Sequence, residues 1–140
     1  MSNIPPDIYE RVRELALSMT KASEAGDTTL QDSGYQSLLT FYEEQTRLGR
    51  SHPFLTEALA DYTDDIATSA RYYELALEQA RAYPDEPRHT KMISLAERLI
   101  ELGQLERAEA YLRDGRAEAV RRADAFWIED ADRLLHELAA

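Results

Sequence analysis

The sequence predicts an all-α protein of about seven helices. Three observations carry this. Valine and isoleucine together number only eight in 140 residues, and no segment alternates apolar and polar residues as a half-buried strand would. Apolar residues recur instead at intervals of three and four along almost the whole chain. Glycine and proline fall between these runs, where helices begin and end.

The first helix starts at Pro5-Pro6-Asp7, since proline is tolerated in a first turn and Asp7 favours the helix dipole. Ile8, Val12, Leu15, Met19 and Ala22 form its apolar stripe, and Gly26 suits its C-terminal cap. The second helix runs from Leu30 or Asp32 to Leu48, with Tyr35, Leu38, Leu39 and Tyr42 on one face and Gly49 ending it. Ser51 is the expected cap of the third, which holds Pro53 in its first turn and buries Phe54, Ala58, Leu59 and Tyr62. The fourth begins at Thr63 or Asp64 and repeats Ile66, Ala70, Tyr73, Ala76, Leu77 and Ala80. Two prolines in Tyr83–Pro87 break the chain. The fifth helix covers Pro87 to Leu102, with Met92, Leu95, Ala96 and Leu99 inward. The sixth covers Leu105 to Ala123 and uses Ala108, Tyr111, Leu112 and Ala119. Asp124 can cap the seventh, which is lined by Trp127, Ala131, Leu134, Leu135 and Leu138. No long linker interrupts this series, so residues 1–140 read as a single domain.

Similar segments recur. FYEEQ from Phe41 and YYELA from Tyr72 lie 31 residues apart, and the same shift places Pro53 on Pro84. A shift of 39 carries Leu95, Ala96 and Leu99 onto Leu134, Leu135 and Leu138. The chain therefore reads as three antiparallel hairpins and a C-terminal capping helix. Residues 92–115 resemble the tetratricopeptide repeat, with Met92, Leu95, Ala96, Leu99, Gly103, Ala108, Leu112 and Gly115 at the positions of its pattern. Residues Arg71–Gln79 are similar to the second helix of such a repeat. The resemblance implies a superhelix that binds protein or peptide along a concave face lined by the first helix of each hairpin. The groove positions it implies include Glu10, Arg13, Leu17, Thr20 and Lys21 on the first helix and Thr56, Ala60 and Asp64 on the third. On the fifth they are Thr90, Ile93, Glu97, Ile100 and Glu101. On the seventh they are Glu129, Asp132 and His136.

Charge adds a direction. Acids outnumber bases 27 to 16, for a net charge of −11. The first half of the chain carries −7 of this and the second −4. Glu57, Asp61, Asp64 and Asp65 cluster, and between Ala22 and Ala70 nine acids face only Arg47 and Arg50 as bases. An acidic surface disfavours nucleic acid and favours basic partners. The acidic cluster lacks the central glycine and alternating ligands of a calcium loop.

Chemistry is sparse by contrast. There is no cysteine, which excludes thiol catalysis, iron–sulfur clusters and cysteine-based zinc sites. His52, His89 and His136 form no HExxH motif, and neither a phosphate-binding glycine loop nor a GxSxG elbow occurs. No cofactor, metal or catalytic residue is expected. The opening residues lack a secretory pattern, and no apolar run suits a membrane span, so a cytoplasmic protein is expected.

The expected function is a non-catalytic interaction module that binds a basic protein or peptide. Arg13, Thr56, Glu57, Asp61, Asp64, Ile93, Glu97, Glu101, Asp132 and His136 are the candidate contacts. One form of this function is a bacterial immunity or antitoxin protein covering a basic toxin domain. A second is a secretion chaperone similar to three-repeat type III translocator chaperones. A helical enzyme or regulatory domain without a recognisable motif is the reading from another class. Exposed apolar surface at the end of an open stack permits a homodimer.

Overall fold

The computed structural model describes residues 4–140. Those residues form seven α-helices and no strand: α1 (Pro6–Glu24), α2 (Thr28–Arg47), α3 (Pro53–Tyr62), α4 (Ile66–Gln79), α5 (His89–Glu101), α6 (Leu105–Arg121) and α7 (Ala125–Ala139). A single 3-10 turn, Ala80–Ala82, extends α4. Helices α1 and α2, α3 and α4, and α5 and α6 pack as hairpins, and α7 closes the series on α6. The first helices also touch one another, α1 on α3 and α5 on α7. None of the helices is long and apolar enough to cross a membrane.

Local signals set most boundaries. Gly26, Gly49 and Gly103 take left-handed φ of 69°, 69° and 77° after α1, α2 and α5. Other boundaries correct the sequence reading by a residue or more. Asp27 caps α2 by accepting from the Leu30 N–H, so the helix starts earlier than Leu30. The cap of α3 is His52, whose Nδ1 accepts from the Phe54 N–H at 3.0 Å, in place of Ser51. Asp65, not Thr63 or Asp64, caps α4 through the N–H and hydroxyl of Thr68.

The apolar stripes meet in two clusters. All five stripe residues of α1 are buried, and the four of them from Ile8 to Met19 meet Leu38, Leu55, Ala58 and Leu59 in the first. The second gathers Tyr73 and Leu77 of α4, the inward faces of α5 and α6, and Ala131 and Leu134 of α7. Helix α3 serves both, because it is apolar nearly all round and sends Ala60 into the second cluster. Tyr72 packs against both clusters and meets Tyr42 edge-on with centroids 5.9 Å apart. Two polar seams reinforce the joint. Tyr35 and Thr63 share a hydrogen bond of 2.8 Å, and the Ser69 hydroxyl donates to the Ala60 carbonyl.

Helix α5 has no side-chain cap of its own. Glu118, from α6, supplies one, accepting from the N–H groups of Arg88 at 2.8 Å and His89 at 3.0 Å. The same Oε2 meets His89 Nδ1, while His89 Nε2 faces Asp124 Oδ2 at 2.8 Å. The buried imidazole thus ties α5 to α6 and to the start of α7. Burial pushes the Glu118 carboxyl up, but the His89 ring, the two N–H groups and Arg122 outweigh it and hold the carboxyl below its ordinary range.

Gly115 lets α6 approach α5 closely. A Cβ there would lie 2.8 Å from Ile93 Cγ1 and 3.3 Å from Met92 Cβ. Overpacking costs about 1–3 kcal/mol, against about 1 kcal/mol gained from helix propensity. Gly115→Ala is therefore expected to lower stability in urea titration despite improving the helix.

Candidate functional site

The polar residues of interest radiate from α3. Glu57 and Asp61 lie one turn apart on it, so their side chains follow one another along a single face. Lys91 of α5 is fully buried. Its Nζ donates to Glu57 Oε1 at 2.8 Å, Glu86 Oε1 at 3.0 Å and the Pro87 carbonyl at 2.7 Å. The other oxygen of Glu57 accepts from the Thr90 hydroxyl at 2.7 Å. Both oxygens of Glu57 are therefore engaged inside the protein.

One turn on, Asp61 Oδ1 accepts from the Tyr73 hydroxyl at 2.5 Å. Burial holds the Tyr73 phenol far above its ordinary range, so it stays a donor. The Arg98 guanidinium stands over the Tyr73 ring, 6.0 Å from its centroid, and its Nε donates to Ser69. Asp61 is open to water on one side and crowded by protein on the other. That crowding pushes its carboxyl up to about 7, helped by the negative charge of Glu57 and opposed by the Tyr73 hydroxyl.

Asp61 and Tyr62 stand between two concavities. The smaller, about 180 Å³, is floored by Val12, Ala16, Phe54 and Ala58 and edged by Glu57 and Asp61. The larger, about 530 Å³, opens between the start of α2 and the α3–α4 turn. Asp32, Asp61, Asp64 and Asp65 line it, together with Tyr35, Tyr62 and neutral polar residues, and no lysine or arginine does. Asp65 is held by Thr68, which keeps its carboxyl below the ordinary range. Asp32 and Asp64 are exposed. A concave wall carrying one sign of charge concentrates its field outward.

The other sequence candidates sit elsewhere. Thr56 is buried and donates to Gln79 of α4 at 2.6 Å, and Ile93 is buried against Gly115. Neither reaches a groove surface. The physical reason is that α3 and α5 are enclosed on more than one face, so positions assigned to the groove lie within helix contacts. Glu97 pairs with Arg133 at 3.4 Å, and Arg133 also binds Asp130 and Glu137. Asp132 pairs with Arg116 at 2.5 Å. Arg13, Glu101 and His136 are exposed, outside the acidic concavity. Sequence reasoning missed Lys91, Glu86 and Asp32. The signal for Lys91 was present, since it stands four residues before Leu95 and eight before Leu99, on the apolar stripe of α5.

No group of three or more His, Asp or Glu side chains among the described residues is placed to hold a metal ion. The chain matches no family model, no curated protein and no solved structure.

Two measurements check this electrostatic picture. Removing one partner from a buried ion pair strands the other charge, at a cost of about 3–5 kcal/mol. Lys91→Met is expected to destabilise by that amount in urea titration, with partial recovery in Lys91→Met/Glu86→Gln. For Asp61, the folded protein holds a proton that the unfolded chain has released between 3.8 and about 7. Its contribution to stability is complete at low pH and is lost as the pH rises through about 7. Asp61→Asn should remove that decline from a stability–pH series.

Proposed function

We propose that this chain is a non-catalytic helical interaction module that captures a basic protein segment at the acidic concavity between α2 and the α3–α4 turn. The single observation that carries the reading is the set of four carboxylates on that wall without a lysine or arginine among them. In the second half of the molecule, Glu97, Asp130, Asp132 and Glu137 are instead engaged by Arg116 and Arg133. Fast capture of a basic toxin domain, as by an immunity protein, is the form of this function that the charge supports.

A tetratricopeptide-like stack is the architecture that fits this role. It is supported by the burial of Met92, Leu95, Ala96, Leu99, Ala108 and Leu112 in one cluster. The close approach at Gly115 and the left-handed turn at Gly103 support it too. These are the places where such a repeat needs small or turn-forming residues.

The test is fluorescence anisotropy with a labelled oligo-arginine peptide of about eight residues, a length that lets several charges meet the wall. Affinity is expected to fall as salt rises. Two exposed charge contacts at about 0.5–0.7 kcal/mol each correspond to a loss of about five- to tenfold in Asp32→Asn/Asp64→Asn. Glu101→Gln/Glu129→Gln, at the far end, should leave affinity unchanged. Equal losses from both double variants would move the site away from the concavity.

A further inference from the structure

The acidic concavity is one end of a longer feature. Helix α1 underlies three concave surfaces in succession. Tyr9 lines the first, about 270 Å³, with Ile4, Pro6 and Glu10. Val12 and Ala16 floor the second, and Met19 reaches the third, which is the acidic one. Each junction is built. Tyr9 stacks on Phe54 with centroids 5.7 Å apart and planes 26° from parallel, and Phe54 belongs to the second surface. Asp61 and Tyr62 belong to both the second and the third. The seam between α1 and α3 therefore runs from an aromatic and aliphatic end to an anionic end.

We propose that this seam is a directional docking track for an extended segment of a partner protein, seating a large apolar side chain against the Tyr9–Phe54 pair and basic side chains in the acidic concavity. The proposal rests on the capture reading above and adds the chemistry and order of what is captured. Charge complementarity fixes the occupant at one end. At the other, Tyr9 remains 45% exposed beside a pocket of Ile4 and Pro6, a setting that fits an apolar anchor. From Tyr9 to Met19, α1 rises about 15 Å. An extended chain advances about 3.3 Å per residue, so the two anchors are about five residues apart. A helical occupant would need about ten residues for the same span. The spacing thus carries the conformation of the partner.

The probes are labelled synthetic peptides in which one tryptophan is separated from an arginine pair by spacers of about two, five or ten residues, the longest helix-forming. Binding is read by fluorescence anisotropy, beside the oligo-arginine peptide. The five-residue spacing should bind about tenfold more tightly than the two-residue spacing, a difference near 1.4 kcal/mol. Tyr9→Ala should erase that difference while leaving the oligo-arginine affinity unchanged, and loss of the Phe54 stack should lower the urea midpoint only slightly, leaving the protein folded. Asp32→Asn/Asp64→Asn should weaken every arginine peptide. Spacing-independent affinities that ignore Tyr9→Ala, with salt-sensitive oligo-arginine binding intact, would overturn the track and leave the capture reading standing. Preference for the ten-residue helical spacer would overturn the extended occupant. Failure of every arginine peptide to bind would remove the capture reading and the track together.

Discussion

A lysine with no exposed surface is the constraint around which the middle of this molecule is built. Stripping water from an ammonium costs several kcal/mol unless charge and hydrogen bonds replace it. Lys91 has three N–H donors, and three acceptors meet them: Glu57 from α3, Glu86 from the interhelix loop, and the Pro87 carbonyl. These acceptors come from three different segments, so the charge is satisfied only when α3, the loop and α5 are in register. Apolar contacts alone would tolerate small shifts of one helix along another. This contact does not, because its donors are directional and the ammonium they belong to is buried.

The same contact decides where the acidic surface begins. Glu57 is turned inward by Lys91 and Thr90, so it contributes little charge to the outside. Asp61, one turn further, has only a phenol as its direct partner and keeps an open side. Beyond it, Asp64 and Asp32 face water. Compensation therefore fades along α3, from a neutralised end beside α5 to an anionic end beside α2. The arginines of the second half work in the same sense. Arg133 gathers three carboxylates and Arg116 a fourth, whereas no lysine or arginine lines the acidic concavity in the front of the molecule.

The helices were legible in the sequence because a three-to-four apolar period is a local property. Every stripe residue of α1 proved buried, as did Met92, Leu95, Ala96 and Leu99. Capping was less legible. His52 caps α3 although serine, one residue earlier, is the commoner choice, because the buried ring also packs on Tyr83 with centroids 4.4 Å apart. Glu118 caps α5 from 29 residues away, which no local rule contains. The site was legible in part. Asp61 and Asp64 announced themselves by clustering. Asp32 did not, because it joins them only through the return of α2 against the α3–α4 turn. Thr56 and Ile93 were misplaced because a single groove face was assumed for helices that are enclosed on several.

The two-cluster core gives the acidic wall its mechanical character. Its carboxylates come from α2, α3 and the α3–α4 turn, and the residues behind them belong to the first cluster. Tyr35 and Thr63, which line the same concavity, are joined by a hydrogen bond across it. Asp61 is thus held on a helix braced by the first cluster, with Asp64 and Asp65 on the turn that follows it. A concave wall lined by four aspartates directs a negative field outward from the front of the molecule. That is the physical link between the packing of α1, α2 and α3 and the charge of the surface they support.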